Sequence, residues 1–196
     1  MRKIGLMGGS YNPIHKGHVG LAKTIRQKLV LDEVWLMLSP MNPLKRNDTE
    51  LIEDVQRLTM ARLALEGEPG IVVSDAEMTL PRPNYTVRTL AYLKERNPDC
   101  VFSIIIGSDN LAVFDHWKDA DEIMRKYEVI VYPRPGYDIK PLREKYPKVN
   151  YVEDVSEYPI SSTEIRRRIR AGEEVSEWLD ASVYNYICRK KLYGMR

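Results

Sequence analysis

Gly8-Gly9-Ser10-Tyr11-Asn12-Pro13-Ile14-His15-Lys16-Gly17-His18 follows the short apolar run Ile4-Gly5-Leu6-Met7 and leads into a segment whose Val19, Ala22, Ile25 and Leu29 recur at helical spacing. The three parts read as strand, loop and helix. A loop that ends at a helix N-terminus presents unpaired backbone N–H groups and the positive end of the helix dipole, which favours phosphate. Two of the chain's three histidines lie here, around Lys16 and Gly17. With His15 ending the loop and His18 opening the helix, both rings can face one phosphate chain, and Gly17 leaves room for backbone to approach it. Neutral imidazole donates from one ring nitrogen and imidazolium from two, which suits a pentacovalent α-phosphorus or a leaving pyrophosphate. A zinc site is the competing reading. It needs further ligands, and only His116, Cys100 and Cys188 stand beside the carboxylates.

At 196 residues, with 43% hydrophobic and 30% charged side chains, the chain is expected to bury one sizeable core as a single domain over residues 1–196, with a C-terminal helical portion from about 160 to 196. A net charge of +2 gives no argument for a nucleic-acid partner, so any basic site is local. Cys100 lies in an apolar run far from Cys188, as expected of thiols in a reducing compartment. The chain opens into a strand, and no apolar run approaches membrane-spanning length, so a cytoplasmic location with no membrane partner is expected. Homo-oligomerisation is left open.

Further strands are read at 33–38, 71–73, 101–107 and 128–132, with a sixth at 149–152. Helices are read at about 50–66, capped by Thr49 with Ile52, Val55, Leu58, Ala61 and Leu65 inward, then at 86–95, 109–115, 120–126, from 161 to a stop at Gly172, and at 181–192. The segment 138–146 is ambiguous. Alternating strands and helices predict an α/β Rossmann-like sandwich: a mainly parallel sheet of five or six strands with helices on both faces. Ligands in such sheets bind beyond the carboxyl ends of the strands, where the loops after the first, second and fourth strands should meet.

Residues 9–18 are similar to the G-S-F-x-P-x-H-x-G-H signature of the nucleotidyltransferases that move AMP or CMP onto a phosphate, and the chain as a whole resembles the bacterial nicotinate-nucleotide adenylyltransferase family. Ile160-Ser161-Ser162-Thr163-Glu164-Ile165-Arg166 is similar to that family's I-S-S-T-x-I-R stretch. Physically it is a second helix start, with hydroxyls to cap it and, one turn in, a guanidinium whose fork matches phosphate oxygens. Read alone, it is an ordinary N-cap followed by a solvated basic face.

The resemblance implies roles for individual residues. His15, His18 and Arg166 act on the reacting phosphates, while Gly9, Ser10, Tyr11, Lys45, Gly107, Asp109, Ser161, Ser162 and Thr163 bind ATP, with Asp109 at a ribose. Tyr85, Thr86, Trp117 and Arg134 hold the pyridine nucleotide. Trp117 would stack on the ring, and backbone N–H groups near Thr86 would take a nicotinate carboxylate. Structural readings stand beside these: a half-buried anchor for Trp117, a solvated loop lysine for Lys45, a Pro-rich turn for Pro133-Arg134-Pro135-Gly136. Two positions depart from the family pattern, Arg88 where an acid is usual and Leu44 where a histidine is.

The implied activity is transfer of AMP from ATP to nicotinate mononucleotide, giving deamido-NAD and pyrophosphate in NAD biosynthesis. Mg2+ would ride on the triphosphate, held by phosphate oxygens and water, with no metal-ligating residues in the chain. Nicotinamide mononucleotide or another phosphate acceptor such as phosphopantetheine is the alternative, and a non-catalytic nucleotide-binding regulator is the reading from a different class. Neither G-x-x-x-x-G-K-[ST] nor G-x-G-x-x-G occurs, which argues against a P-loop kinase and an NAD-dependent dehydrogenase.

Overall fold

In a computed structural model of the chain, which describes residues 1–40, 50–155 and 159–195, the run around Ile4–Met7 forms β1 (Arg2–Gly9) and the periodic segment after it α1 (Lys16–Lys28). There follow β2 (Glu33–Leu38), α2 (Asp54–Ala64), β3 (Ile71–Ser74), α3 (Thr86–Arg96), β4 (Cys100–Gly107), α4 (Ser108–Ala112), α5 (Ala120–Lys126), β5 (Glu128–Tyr132), α6 (Ile139–Lys145), β6 (Asn150–Tyr151), α7 (Ser162–Ala171) and α8 (Ala181–Lys190). The strands pair in the order β3-β2-β1-β4-β5-β6, every pair parallel.

Successive side chains of a strand point to opposite faces, and both faces are buried. Leu6, Met37, Ile104, Ile106, Val129 and Val131 meet Val87, Leu90 and Leu93 of α3, with Leu111 and Ile123. Met7, Leu36, Leu38, Ile105 and Ile130 meet Ala22 and Ile25 of α1, Leu58 and Ala61 of α2, Ile165 and Ile169 of α7, and Val183 and Ile187 of α8. The expected sandwich is therefore realised, with six strands and no antiparallel pair among the described residues.

Several boundaries move. Among the described residues α2 begins at Asp54 behind Glu53 rather than near Glu50, and Thr49, the expected cap, lies outside them. Val55, expected inward, is 64% exposed, and the neighbouring Arg57 is wholly buried. The stretch 109–115 divides into α4 and a 3-10 turn at Phe114–His116. The ambiguous 138–146 is α6, capped by the Asp138 carboxylate on Lys140 N; it buries none of its residues, so it carries no apolar stripe to read. The last helix stops at Lys190 and buries Tyr186 beside Val183 and Ile187. At α7 Ser161 Oγ accepts from Glu164 N, and Gly172, at φ 73°, supplies the left-handed residue that ends the helix.

Arg57 ties α2 to the cleft. Its Nη1 donates to Ser10 O (2.6 Å) and Ser39 O (3.1 Å), its Nε to Ile52 O (3.2 Å), and its Nη2 to the Asp54 carboxylate. One cation thus holds the chain just after β1 against the chain just after β2. Removing it leaves three carbonyls without this donor and the Asp54 carboxylate with Arg82 alone. Arg57→Ala is expected to cost roughly 3 to 5 kcal/mol in denaturant unfolding; a loss near zero would show that these loops are held by something else.

Candidate active site

The connections run in opposite directions from β1 and β4, so the sheet opens between their carboxyl ends. A cavity of about 150 Å³ lies there, lined by Gly8 and Gly9 of β1, Ser39 after β2, Gly107 of β4 and Tyr132 of β5. Asn84, Tyr85 and Thr86 at the start of α3, and His116, Trp117 and Lys118 after α4, form its other walls. The loops after β1, β2 and β4 meet as expected, joined by the end of β5.

His15 is the residue preceding α1, and His18 lies in its first turn. The rings sit 3.7 Å apart centre to centre, and the Tyr11 ring meets His18 edge-on at 5.1 Å. Tyr11 is buried and gives its hydroxyl to Met7 O, so it packs the histidine and offers no free hydroxyl. His15 N donates to His18 Nδ1 at 3.2 Å. A neutral His18 that accepts at Nδ1 carries its hydrogen on Nε2, which makes Nε2 a donor. Burial, with His15 and then Arg134 adding to it, holds His18 well below the usual imidazole range. Burial and the charge of Arg134 lower His15 to about 4. Both rings are therefore neutral at pH 7.

The second helix start lands against the first loop. Arg166, 6% exposed, donates from Nη1 to Asn12 O (2.8 Å) and from Nε and Nη2 to Glu50 Oε2 (3.0 and 2.6 Å). Ser162 Oγ donates to Pro13 O at 2.8 Å, Thr163 Oγ1 lies 3.5 Å from Arg166 Nη2, and Ser161 caps α7. Asn12, 1% exposed, joins all of this: its Nδ2 donates to Glu50 O (3.0 Å), and its Oδ1 accepts from Tyr193 Oη (2.9 Å). The hydrogen bond to Arg166, ahead of the charges of Arg166 and Arg170, holds the Glu50 carboxyl below its usual range.

Asp109 lies in the first turn of α4, two residues after Gly107, where a Cβ would collide with Asp109 Oδ1 and stand 2.7 Å from Arg134 Cγ. That close approach requires glycine. Arg134 N donates to Ser108 Oγ (2.9 Å), and its Nε lies 3.9 Å from Asp109 Oδ1. The structure thus puts Arg134 with Asp109 and the histidines, outside the walls that Tyr85, Thr86 and Trp117 share. Lys45, with Leu44, lies outside the described residues.

Buried side-chain polar atoms without a hydrogen-bond partner gather here: His15 Nδ1, Asp109 Oδ1, Trp117 Nε1, Glu77 Oε2 and Asn84 Oδ1. The first three belong to residues anticipated from the sequence. Glu77 and Asn84 were not, nor were the brace residues Arg57, Glu50 and Tyr193. In Ser74-Asp75-Ala76-Glu77-Met78-Thr79 neither acid carries a mark of burial; only Asn84, directly before Tyr85-Thr86, stood close to a quoted motif. Among the described residues no three His, Cys, Asp or Glu side chains converge as a metal site, and no helix is long and apolar enough to cross a membrane.

The sequence profile of the cytidylyltransferase-like family matches residues 6–168. A Bacteroides fragilis protein named "Probable nicotinate-nucleotide adenylyltransferase" is 42% identical over 96% of this chain and 92% of its own length. A Flavobacterium johnsoniae protein of the same name is 40% identical over 97% of this chain and 98% of its own. The chain belongs to the nicotinate-nucleotide adenylyltransferase family. Its fold is that of the Plasmodium falciparum nicotinic acid mononucleotide adenylyltransferase solved in complex with NaAD, which superposes with a TM-score of 0.83 over 100% of this chain and 99% of that one at 20% identity.

In this family member the depressed His15 has a consequence for stability. Its folded value of about 4 lies below the ordinary 6.5 of the unfolded chain, so the unfolded state binds the extra proton and stability falls as pH drops from about 6.5 to 4. Unfolding in denaturant at pH 7 and pH 4.5 should show His15→Gln losing roughly 2 to 3 kcal/mol less than the parent chain between the two. Equal losses would place His15 in contact with water.

Proposed function

We propose that this chain transfers the adenylyl group of ATP to the 5′-phosphate of nicotinate mononucleotide, forming deamido-NAD and pyrophosphate. The observation that carries this reading is the neutral histidine pair at the start of α1, in the field of an Arg134 that also faces Asp109, together with a cavity walled by Trp117 and Thr86, in a chain of this family.

An oxygen of the acceptor's 5′-phosphate attacks the α-phosphorus of ATP in line. The bond from that phosphorus to the β-bridging oxygen breaks, and the electron pair leaves with pyrophosphate. The nucleophile is already an anion, so no side chain has to remove a proton, and catalysis consists of alignment and charge neutralisation. His18 Nε2–H donates to an α-phosphate oxygen as charge moves onto the equatorial oxygens, and Ser10 with the first turn of α1 holds the phosphate chain. Arg134 adds positive charge beside Asp109, which accepts from the ATP ribose. Arg166 braces Asn12 and reaches the leaving pyrophosphate by exchanging the Glu50 carboxylate for phosphate oxygens. Magnesium enters as part of the nucleotide substrate, coordinated by phosphate oxygens and water.

At the other end of the cleft the Trp117 indole stacks on the electron-poor pyridine ring. The backbone N–H groups that open α3 at Thr86 take the carboxylate, which favours the acid over the amide mononucleotide.

Pyrophosphate release measured with ATP and either mononucleotide tests the reading. The acid should be preferred by about tenfold or more in kcat/KM, the margin of one charge-assisted hydrogen bond over a neutral one. Absence of release with either would end the proposal. His18→Ala should lower kcat by about a hundredfold with the circular dichroism spectrum unchanged, and near-normal turnover would remove His18 from the mechanism.

A further inference from the structure

Glu77 lies in the 3-10 turn at Ala76–Met78, between β3 and α3, and Asn84 directly precedes the Tyr85-Thr86 start of α3. Their exposures are 3% and 5%, and both line the cavity that holds Trp117 and Thr86. They are fixed to each other and to α3. Asn84 Nδ2 donates to Glu77 O at 3.0 Å, so its Oδ1 is directed elsewhere. The fully buried Thr89 donates its hydroxyl to Glu77 Oε1 at 2.8 Å, so it is Oε2 that is left over. Neither Glu77 Oε2 nor Asn84 Oδ1 makes a hydrogen bond of normal geometry; the Ser39 hydroxyl stands near the Glu77 carboxyl without closing one to Oε2.

Two oriented acceptors in a buried wall call for donors, since an unpaired buried acceptor bears its full desolvation cost. Nicotinate mononucleotide at neutral pH is poor in donors. Its phosphate and carboxylate only accept, its pyridinium nitrogen bears no hydrogen, and its donors are the two ribose hydroxyls. We propose that Glu77 Oε2 and Asn84 Oδ1 accept hydrogen bonds from the ribose hydroxyls of the pyridine mononucleotide. This rests on the reading of the cavity as the mononucleotide site and names the residues that recognise its sugar, separately from Asp109 at the ATP ribose. Burial pushes the Glu77 carboxyl above its usual range, with the Thr89 and Ser39 hydroxyls opposing it. A further hydroxyl on Oε2 favours the ionised form in the same way.

The test compares nicotinate mononucleotide with its 2′-deoxy and 3′-deoxy analogues on the parent chain, Glu77→Gln and Asn84→Ala, with ATP saturating. On the parent chain, loss of a paired hydroxyl should raise the KM for the mononucleotide by about tenfold or more while the KM for ATP stays constant. In Glu77→Gln, whose amide NH2 replaces the free acceptor, the KM for the intact mononucleotide should rise by a similar factor, and removing the matching hydroxyl should then cost less than about threefold. Asn84→Ala should behave in the same way toward the other hydroxyl. Unchanged KM values for both analogues on the parent chain would overturn the proposal without any variant, as would variants that lose as much from each analogue as the parent does. Turnover of the intact mononucleotide by the parent chain keeps the two readings apart. If there is none, the adenylyl-transfer reading fails, and calorimetric binding of the three mononucleotides decides the ribose contact directly.

Discussion

Two guanidinium groups buried beneath the cleft hold its irregular chain in place. Arg57 has no exposed surface and joins Ser10 O to Ser39 O, while Arg166 joins Asn12 O to Glu50. A buried cation is tolerable only when its donors are filled, and here backbone carbonyls and carboxylates fill them. Loops that cross the end of a parallel sheet have no ladder of their own to satisfy their carbonyls. The same contacts that make the arginines acceptable therefore give those loops a definite shape.

The electrostatics of the site follow from that confinement. Two imidazoles 3.7 Å apart in a buried setting stay uncharged, so the positive potential at the site comes from helix starts, oriented N–H groups and the nearby Arg134 instead of from a histidine charge. A fixed donor set costs little reorganisation when charge shifts during reaction. The unpartnered polar atoms along the same walls express the same arrangement: among the described residues, the buried side-chain atoms left without a hydrogen bond gather where a polar ligand is expected.

Most of the fold was legible because each central strand is apolar on both faces, and the bounds of β2, α5 and β5 coincide with the apolar and periodic runs. The stripe of the helix before β3 holds at Leu58, Ala61 and Leu65, which are buried, and fails at Val55, two positions before a wholly buried Arg57 that no apolar pattern marks. α6 escaped for the complementary reason that it buries nothing. In the site, dense motifs revealed the histidines, Asp109 and Trp117. Glu50 and Tyr193 act through contacts made across the fold, and a linear reading has no signal for a partner 116 or 181 residues away.

The hydroxyl of Tyr193 on the Asn12 carboxamide joins positions made at very different moments. A nascent polypeptide exposes its glycine- and histidine-rich stretch early and extends by 181 residues before the tyrosine that steadies it exists. Fragments released by stalled ribosomes consequently carry the motif without the hydroxyl that fixes the Asn12 side chain.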